Sequence, residues 1–187
     1  MDQHQCKPKP SSGKACRFIT LESSEGDKFL LKHHETRASK LIQDAIEDEL
    51  DSDDDTDADG TNENGISLVN VQSKTLRNVV NFLRHHAIEP LQPLPSQLAG
   101  SSFEEIIQQE WYLRFINDLP SNKELFDIVA ASNYMDIQAL FDLGCLKVSF
   151  ELMDKSPEEI RKILNLPKLS KEEEEAAREE HPWIFEE

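Results

Sequence analysis

The sequence predicts an α/β fold in which helices pack around a small sheet, followed by a two-helix extension at the C-terminus. Three observations carry that expectation. Two runs rich in strand formers, Cys16-Arg17-Phe18-Ile19-Thr20-Leu21 and Lys28-Phe29-Leu30-Leu31, flank the turn residues Ser23-Ser24-Glu25-Gly26-Asp27, which is the pattern of a β-hairpin. From Ala38 onward, apolar residues recur at spacings of three and four, the period of helices that bury one face. Serine followed three residues later by glutamate, at Ser102, Ser121, Ser156 and Ser170, marks helix starts.

Taken in order, residues 1–15 are expected to be a disordered tail, because Cys6-Lys7-Pro8-Lys9-Pro10-Ser11-Ser12-Gly13-Lys14 has no apolar period and two close prolines. After the hairpin, Ala38, Leu41, Ile42, Ala45 and Ile46 make a helix of about three turns with one buried stripe. Aspartate and glutamate dominate from Glu47 to Glu63, so residues 47–64 are expected to form an acidic mobile loop held open by repulsion. Ile66-Ser67-Leu68-Val69 reads as a short strand. Ser73 can cap the next helix, whose Leu76, Val79, Val80, Leu83 and Ala87 share a face and which ends before Pro90. Glu89 to Gly100, with Pro90, Pro93 and Pro95, reads as a surface connector.

Ser102 is expected to open one helix running through Trp111, Tyr112 and Phe115, and Ser121 a helix containing Leu125-Phe126-Asp127-Ile128-Val129-Ala130-Ala131. The latter is apolar nearly all round and belongs at the centre of a domain. In the following helix Ile137, Leu140, Phe141, Gly144, Cys145, Val148 and Leu152 cover one face, and Leu143, Leu146 and Phe150 extend it sideways. One neighbour cannot cover that much apolar surface. Ser156-Pro157-Glu158-Glu159 combines a cap, a first-turn proline and a capping glutamate; its stripe is Ile160, Ile163 and Leu164. Ser170 starts a last helix through Ala176, Ala177 and Arg178, before His181-Pro182-Trp183-Ile184-Phe185. With Leu166 and Leu169, these apolar groups are too few for a core of their own. They dock on the main domain, are covered by a partner, or stay mobile.

The composition narrows the function. Among 187 residues, 20 are basic and 37 acidic, a formal charge of −17. Such a chain repels phosphate backbones, and its lysines and arginines do not cluster, so neither nucleic acid nor membrane is expected as a partner. Protein partners are. No apolar run approaches the roughly 20 residues of a bilayer span, and Met1-Asp2-Gln3-His4 lacks a signal-peptide core; a soluble intracellular protein is expected, in cytoplasm and nucleus. Cys6, Cys16 and Cys145 are odd in number and fit a reducing compartment, Cys145 as a small core residue with a raised thiol pKa.

Candidate chemistry is sparse. Asp55-Thr56-Asp57-Ala58-Asp59-Gly60 matches the first half of a calcium loop, but Ile66 stands where the bidentate glutamate belongs. The pairs His33-His34 and His85-His86 are adjacent, so neighbouring rings diverge on a helix. The sequence carries no phosphate-binding glycine loop and no nucleophile elbow. No enzyme activity, no cofactor and no metal are expected; binding is.

Several strings then point to a family. Ile19-Thr20-Leu21-Glu22-Ser23-Ser24-Glu25-Gly26, the acidic stretch before a short strand, Ala130-Ala131-Ser132-Asn133-Tyr134-Met135-Asp136-Ile137, Ser156-Pro157-Glu158-Glu159-Ile160-Arg161-Lys162, Glu172-Glu173-Glu174-Glu175 and Trp183 resemble the S-phase kinase-associated adaptor family, small subunits of Skp–cullin–F-box (SCF) ubiquitin ligases. The similarity covers nearly everything after Cys16, and the combination is specific. It implies a BTB/POZ domain over residues 16–153 and a helical extension over 154–187 that grips the F-box of a substrate receptor. The F-box-binding residues so implied are Leu140, Leu143, Leu146, Phe150, Ile160, Ile163, Leu164, Leu166, Trp183 and Ile184. The implied cullin-binding residues are Asn133, Tyr134 and Met135. An ordinary alternative for Asn133-Tyr134 is a helix end with asparagine in a left-handed turn and tyrosine half in the core.

The implied function is a non-catalytic adaptor bridging F-box proteins to a cullin scaffold, with a weak homodimer when unpartnered. Alternatives are an elongin C-like adaptor, which stops after the BTB/POZ part, and an acidic structural subunit of a kinetochore or membrane-trafficking assembly. Three departures from the family pattern bear on partner choice. Lys171 stands where some lineages carry a modifiable proline, Pro182-Trp183-Ile184-Phe185 replaces a polar residue, tryptophan and cysteine, and the acidic loop and proline connector are longer or altered.

Overall fold

The structure is a computed structural model that describes residues 18–51, 65–95, 102–181 and 183. The expected tail, Cys6, Cys16, residues 52–64 of the acidic loop, the end of the proline connector, Ile184 and Phe185 lie outside the described residues. The chain divides into two compact units, Met1–Cys145 and Leu146–Glu187.

The first unit is the expected mixed α/β domain. Strands β1 (Phe18–Ser23) and β2 (Lys28–Lys32) pair antiparallel, with Ile19 opposite Leu31 and Leu21 opposite Phe29. Gly26 turns the hairpin with φ +86°, a conformation that a side chain disfavours. Ile19, Leu21 and Ser23 alternate onto the buried face of β1. A 3-10 turn (His33–Ala38) leads into α1 (Lys40–Asp51). The expected loop thus begins later than Glu47: Ile42 and Ile46, both buried, anchor the helix firmly enough to carry it through the first acidic residues.

Strand β3 (Ile66–Leu68) lies parallel to β1, giving the order β2-β1-β3. Helix α2 (Ser73–His86) packs on β2, the 3-10 turn and α5 (Asn122–Tyr134), and buries Leu76, Val79, Val80, Phe82 and Leu83. Its cap position is Gln72 rather than Ser73. Ser73 Oγ is used instead in a buried 2.8 Å hydrogen bond with Ser23 Oγ, and the Ser73 N–H donates to Glu25 Oε2 at 3.1 Å. The hairpin tip therefore supplies the carboxylate that favours a helix N-terminus.

The single helix expected after Ser102 is two. Ser102 and Glu105 close a reciprocal capping box on α3 (Phe103–Ile106), and α4 (Glu110–Asn117) follows after a break. Ile107 takes an extended backbone (φ −94°, ψ 92°) and is buried. Gln109 donates to Glu89 Oε1 and to the Pro90 carbonyl and accepts from the Gln92 N–H. These contacts with the connector compete with helix continuity.

In α5 the Ser121 hydroxyl accepts from the Glu124 N–H, while the Glu124 carboxylate pairs with Lys74 of α2. Leu125, Ile128, Ala131 and Ser132 are buried, but Ala130 is exposed, so the helix is less central than its composition implied. Helix α6 (Gln138–Leu152) begins in the first unit. Its buried residues are Leu140, Leu143, Gly144 and Leu146, whereas Phe141, Cys145, Val148 and Leu152 are half-buried. The covered face therefore keeps Leu140 and Gly144 of the expected one and is shifted toward Leu143 and Leu146. At Gly144 a Cβ would lie 2.5 Å from Val129 Cγ2, so its absence lets α5 approach on that side.

The second unit continues α6 and adds α7 (Pro157–Ile163) and α8 (Lys171–Glu180). Both short helices start as expected, with reciprocal capping boxes at Ser156/Glu159 and Ser170/Glu173. Neither buries a residue. No helix among the described residues is long and apolar enough to cross a membrane.

Candidate partner-binding surfaces

The last turn of α5 forms the first surface. The N–H of Asp136 donates to the Asn133 carbonyl (3.2 Å) and that of Ile137 to the Ser132 carbonyl (2.8 Å), with Asp136 at φ 49°. These paired bonds define a Schellman end. The left-handed residue is thus Asp136 rather than Asn133, and the buried Ile137 seals the turn. Asn133 is consequently helical and exposed, Tyr134 is half-buried, and Met135 is fully buried. Of the three cullin-binding candidates, two reach the surface, while Met135 is buried and its N–H and carbonyl are bonded to Ala131 and Ser39. Beside Tyr134 lies a cavity of about 240 Å³ lined by Asn70, Gln72, Thr75, Asp127 and Ala130, hydrogen-bonding groups around a small apolar wall.

The F-box candidates divide by burial. Leu140 and Leu143 are fully buried and Leu146 is 5 % exposed, so these three shape α6 from within. Phe150, Ile160, Ile163 and Leu164 are half-buried. Leu166 is 53 % exposed and Trp183 71 %, with Leu169, close to Leu166 in sequence, at 64 %. Ile184 lies outside the described residues. Helix α7 ends in a second Schellman turn: Asn165 at φ 52° donates to Lys162 O, Leu166 N–H donates to Arg161 O at 2.9 Å, and Arg161 Nη1 donates to Leu166 O. That turn directs the chain after the Ile160/Ile163/Leu164 stripe. Hydrogen bonds from Ser156 and from Ser170 hold the Glu159 and Glu173 carboxyls below the usual glutamate range. Lys171 is the exposed first residue of α8.

A third feature was not legible in the sequence. His85 stacks on Trp111 with ring centroids 3.9 Å apart, Trp111 on Phe115 at 5.1 Å, and Phe82 on His86 at 5.3 Å. His85, Trp111 and Phe115 border a groove of about 840 Å³ that also meets Lys74, Arg84 and Arg114. His85 Nε2 lies 3.4 Å from Glu89 Oε2. The adjacent histidines thus serve aromatic packing between α2 and α4, and only the pairing of those helices brings Trp111 to them. Tyr112 is fully buried and donates to the Glu89 carbonyl at 2.5 Å; burial, then Glu89, pushes its hydroxyl pKa well up. His86 Nδ1 accepts from the Leu91 N–H at 3.2 Å, a bond that only the ring unprotonated at Nδ1 can accept and that favours the neutral form. Burial first, then the neighbouring His85, lowers its pKa. Cys145 is half-buried rather than a core residue, and burial, then Asp142, pushes its thiol up.

Comparison with known proteins adds two matched segments. Residues 17–88 match the profile described as Skp1 family, tetramerisation domain, and residues 138–184 that described as Skp1 family, dimerisation domain. The chain is 32 % identical to SKP1-like protein 11 of Arabidopsis thaliana over 91 % of its own length and 98 % of that protein. It is 31 % identical to the S-phase kinase-associated protein 1 homolog of Tetrahymena thermophila, covering 90 % and 94 %. To the E3 ubiquitin ligase complex SCF subunit sconC of Arthroderma otae it is 32 % identical, covering 88 % and 93 %.

Proposed function

Because the chain belongs to the Skp1 family, we propose that it is an adaptor subunit of an SCF-type E3 ubiquitin ligase, joining F-box receptors to a cullin scaffold without catalysing a step itself. The observation that carries the reading is the second unit: α7 and α8 bury no residue, while Ile160, Ile163, Leu164, Leu166 and Trp183 leave apolar surface uncovered. Apolar area of that kind beside charged helices favours a protein partner. Residues 154–187 are assigned to the F-box, and the exposed Asn133 with the half-buried Tyr134 to the cullin. An elongin C-like role fits less well, since α7 and α8 are formed and the family similarity reaches residue 184.

Co-purification of the tagged chain tests this directly. A cullin together with several F-box proteins is expected; kinetochore or trafficking components without a cullin would replace the reading with a structural role. Formation of a ubiquitin thioester, or nucleotide hydrolysis, by the purified chain would overturn its non-catalytic part. Without a receptor the uncovered apolar groups of the second unit pair weakly between copies, which a concentration-dependent sedimentation shift would reveal. The proposed locations are cytoplasm and nucleus, and fractionation checks them.

A further inference from the structure

Helix α5 ends with carbonyls that no further helical turn can satisfy. The Schellman bonds occupy the carbonyls of Ser132 and Asn133. The carbonyls of Met135 and Asp136 meet the beginning of α1. Ser39 Oγ donates to the Met135 carbonyl at 2.6 Å, and the Lys40 N–H donates to the Asp136 carbonyl at 3.1 Å. The same Ser39 Oγ accepts from the Ile42 N–H at 3.3 Å, and the Ser39 carbonyl accepts from the Gln43 N–H at 3.2 Å. Ser39 is therefore the N-cap of α1 and the C-terminal support of α5 at once, with its residue fully buried. The positive end of one helix faces the carbonyl end of another across residues 96 apart in sequence.

This seam lies directly behind the pair assigned above to the cullin. Asn133 and Tyr134 are the last two helical residues before Met135, so the orientation of both depends on where the Met135 and Asp136 carbonyls are held. We propose that Ser39, assisted by the Lys40 amide, is a positioning residue of the Asn133–Tyr134 surface, without itself touching the partner. The inference rests on the cullin reading of that surface and deepens it.

Two variants separate the seam from general damage. Ser39→Ala deletes the hydroxyl. Lys40→Pro deletes only the second donor, because proline is accepted at the first position of a helix and Ser39 already has the extended backbone (φ −107°, ψ 114°) that precedes proline comfortably. In the full-length chain, titrated against a cullin N-terminal domain, Ser39→Ala is expected to weaken affinity about tenfold and Lys40→Pro about threefold, from the usual worth of a buried hydrogen bond. Affinity for an F-box segment should stay unchanged in both, and amide exchange at Asp136 and Ile137 should accelerate. Tyr134→Ala serves as reference, and the double variant Ser39→Ala/Tyr134→Ala should be no weaker than Tyr134→Ala alone. Unchanged cullin affinity in Tyr134→Ala overturns the surface assignment itself. A loss in Tyr134→Ala but none in Ser39→Ala overturns the positioning role alone, as do additive losses in the double variant or equal losses toward both partners.

Discussion

Helices α5 and α7 begin and end by the same local chemistry yet differ in everything that neighbours decide. Each starts at a serine whose hydroxyl accepts the N–H three residues on, and each stops at a Schellman turn with a left-handed polar residue, Asp136 in one and Asn165 in the other. Within α5, Leu125, Ile128, Ala131 and Ser132 are buried; within α7 nothing is. Capping thus determines where a helix lies along the chain and says nothing about what its stripe touches. The stripe of α7 is formed but uncovered, which is the feature on which the proposed F-box assignment rests.

The strongest way to break this comparison is to remove the uncovered region. Deleting Ser156 to Glu187 takes away Ile160, Ile163, Leu164 and Trp183; burying three aliphatic groups and a tryptophan is worth several kcal/mol gross, so F-box affinity should fall at least about a hundredfold. Circular dichroism of the first unit and cullin titration should be unchanged. Loss of both affinities would mean that the two regions are not separable.

Next in size is the covered region. Phe82 is fully buried and stacks against His86 while meeting Tyr112 and Phe115, so Phe82→Ala should cost about 3–5 kcal/mol in a denaturant titration. Ile160→Ala should change stability very little by the same measurement. A smaller loss, about 1–3 kcal/mol, is expected for Gly144→Ala, whose new Cβ meets Val129. If it proves neutral, the close approach of α5 at that point is not required.

The smallest effects are read by pH. His86 has a lowered pKa in the folded chain, so the unfolded state binds its proton more readily. Stability should therefore decrease as pH falls from about 6.5, the ordinary histidine value, through the lowered one, and level off below it. His86→Phe should flatten that slope in thermal melts. Glu159 and Glu173 have the opposite sense: their depressed pKa values stabilise α7 and α8 above the ordinary glutamate range and cease to do so as pH falls through the folded values. Helix signals of the second unit should fray first in acid.

What was legible in the sequence was whatever is written within a few residues. The hairpin around Gly26, the boxes at Ser102, Ser156 and Ser170, and the cap at Ser121 all fall where their residue types place them. Local signals are overridden where a distant partner competes: Ser73 bonds Ser23 instead of capping α2, and Ile107 and Gln109 break a helix to meet the core and the connector. The candidate sites show the same division. The apolar stripe of α7 follows from spacing, whereas the burial of Met135, Leu140 and Leu143 does not.

By itself, then, the sequence determined element types, most helix starts, the acidic balance and the surplus of apolar residues after Ser156, because capping, periodicity and charge act over one or two turns of chain. Only the tertiary structure decided the parallel pairing of β3 with β1, which part of the broad apolar face of α6 is covered, the stacking of His85 on Trp111 and the seam from Ser39 to Met135. Each of these joins groups far apart in sequence. Their geometry depends on which surfaces close-pack and which buried donors find acceptors, and both conditions are met only when the whole domain has formed.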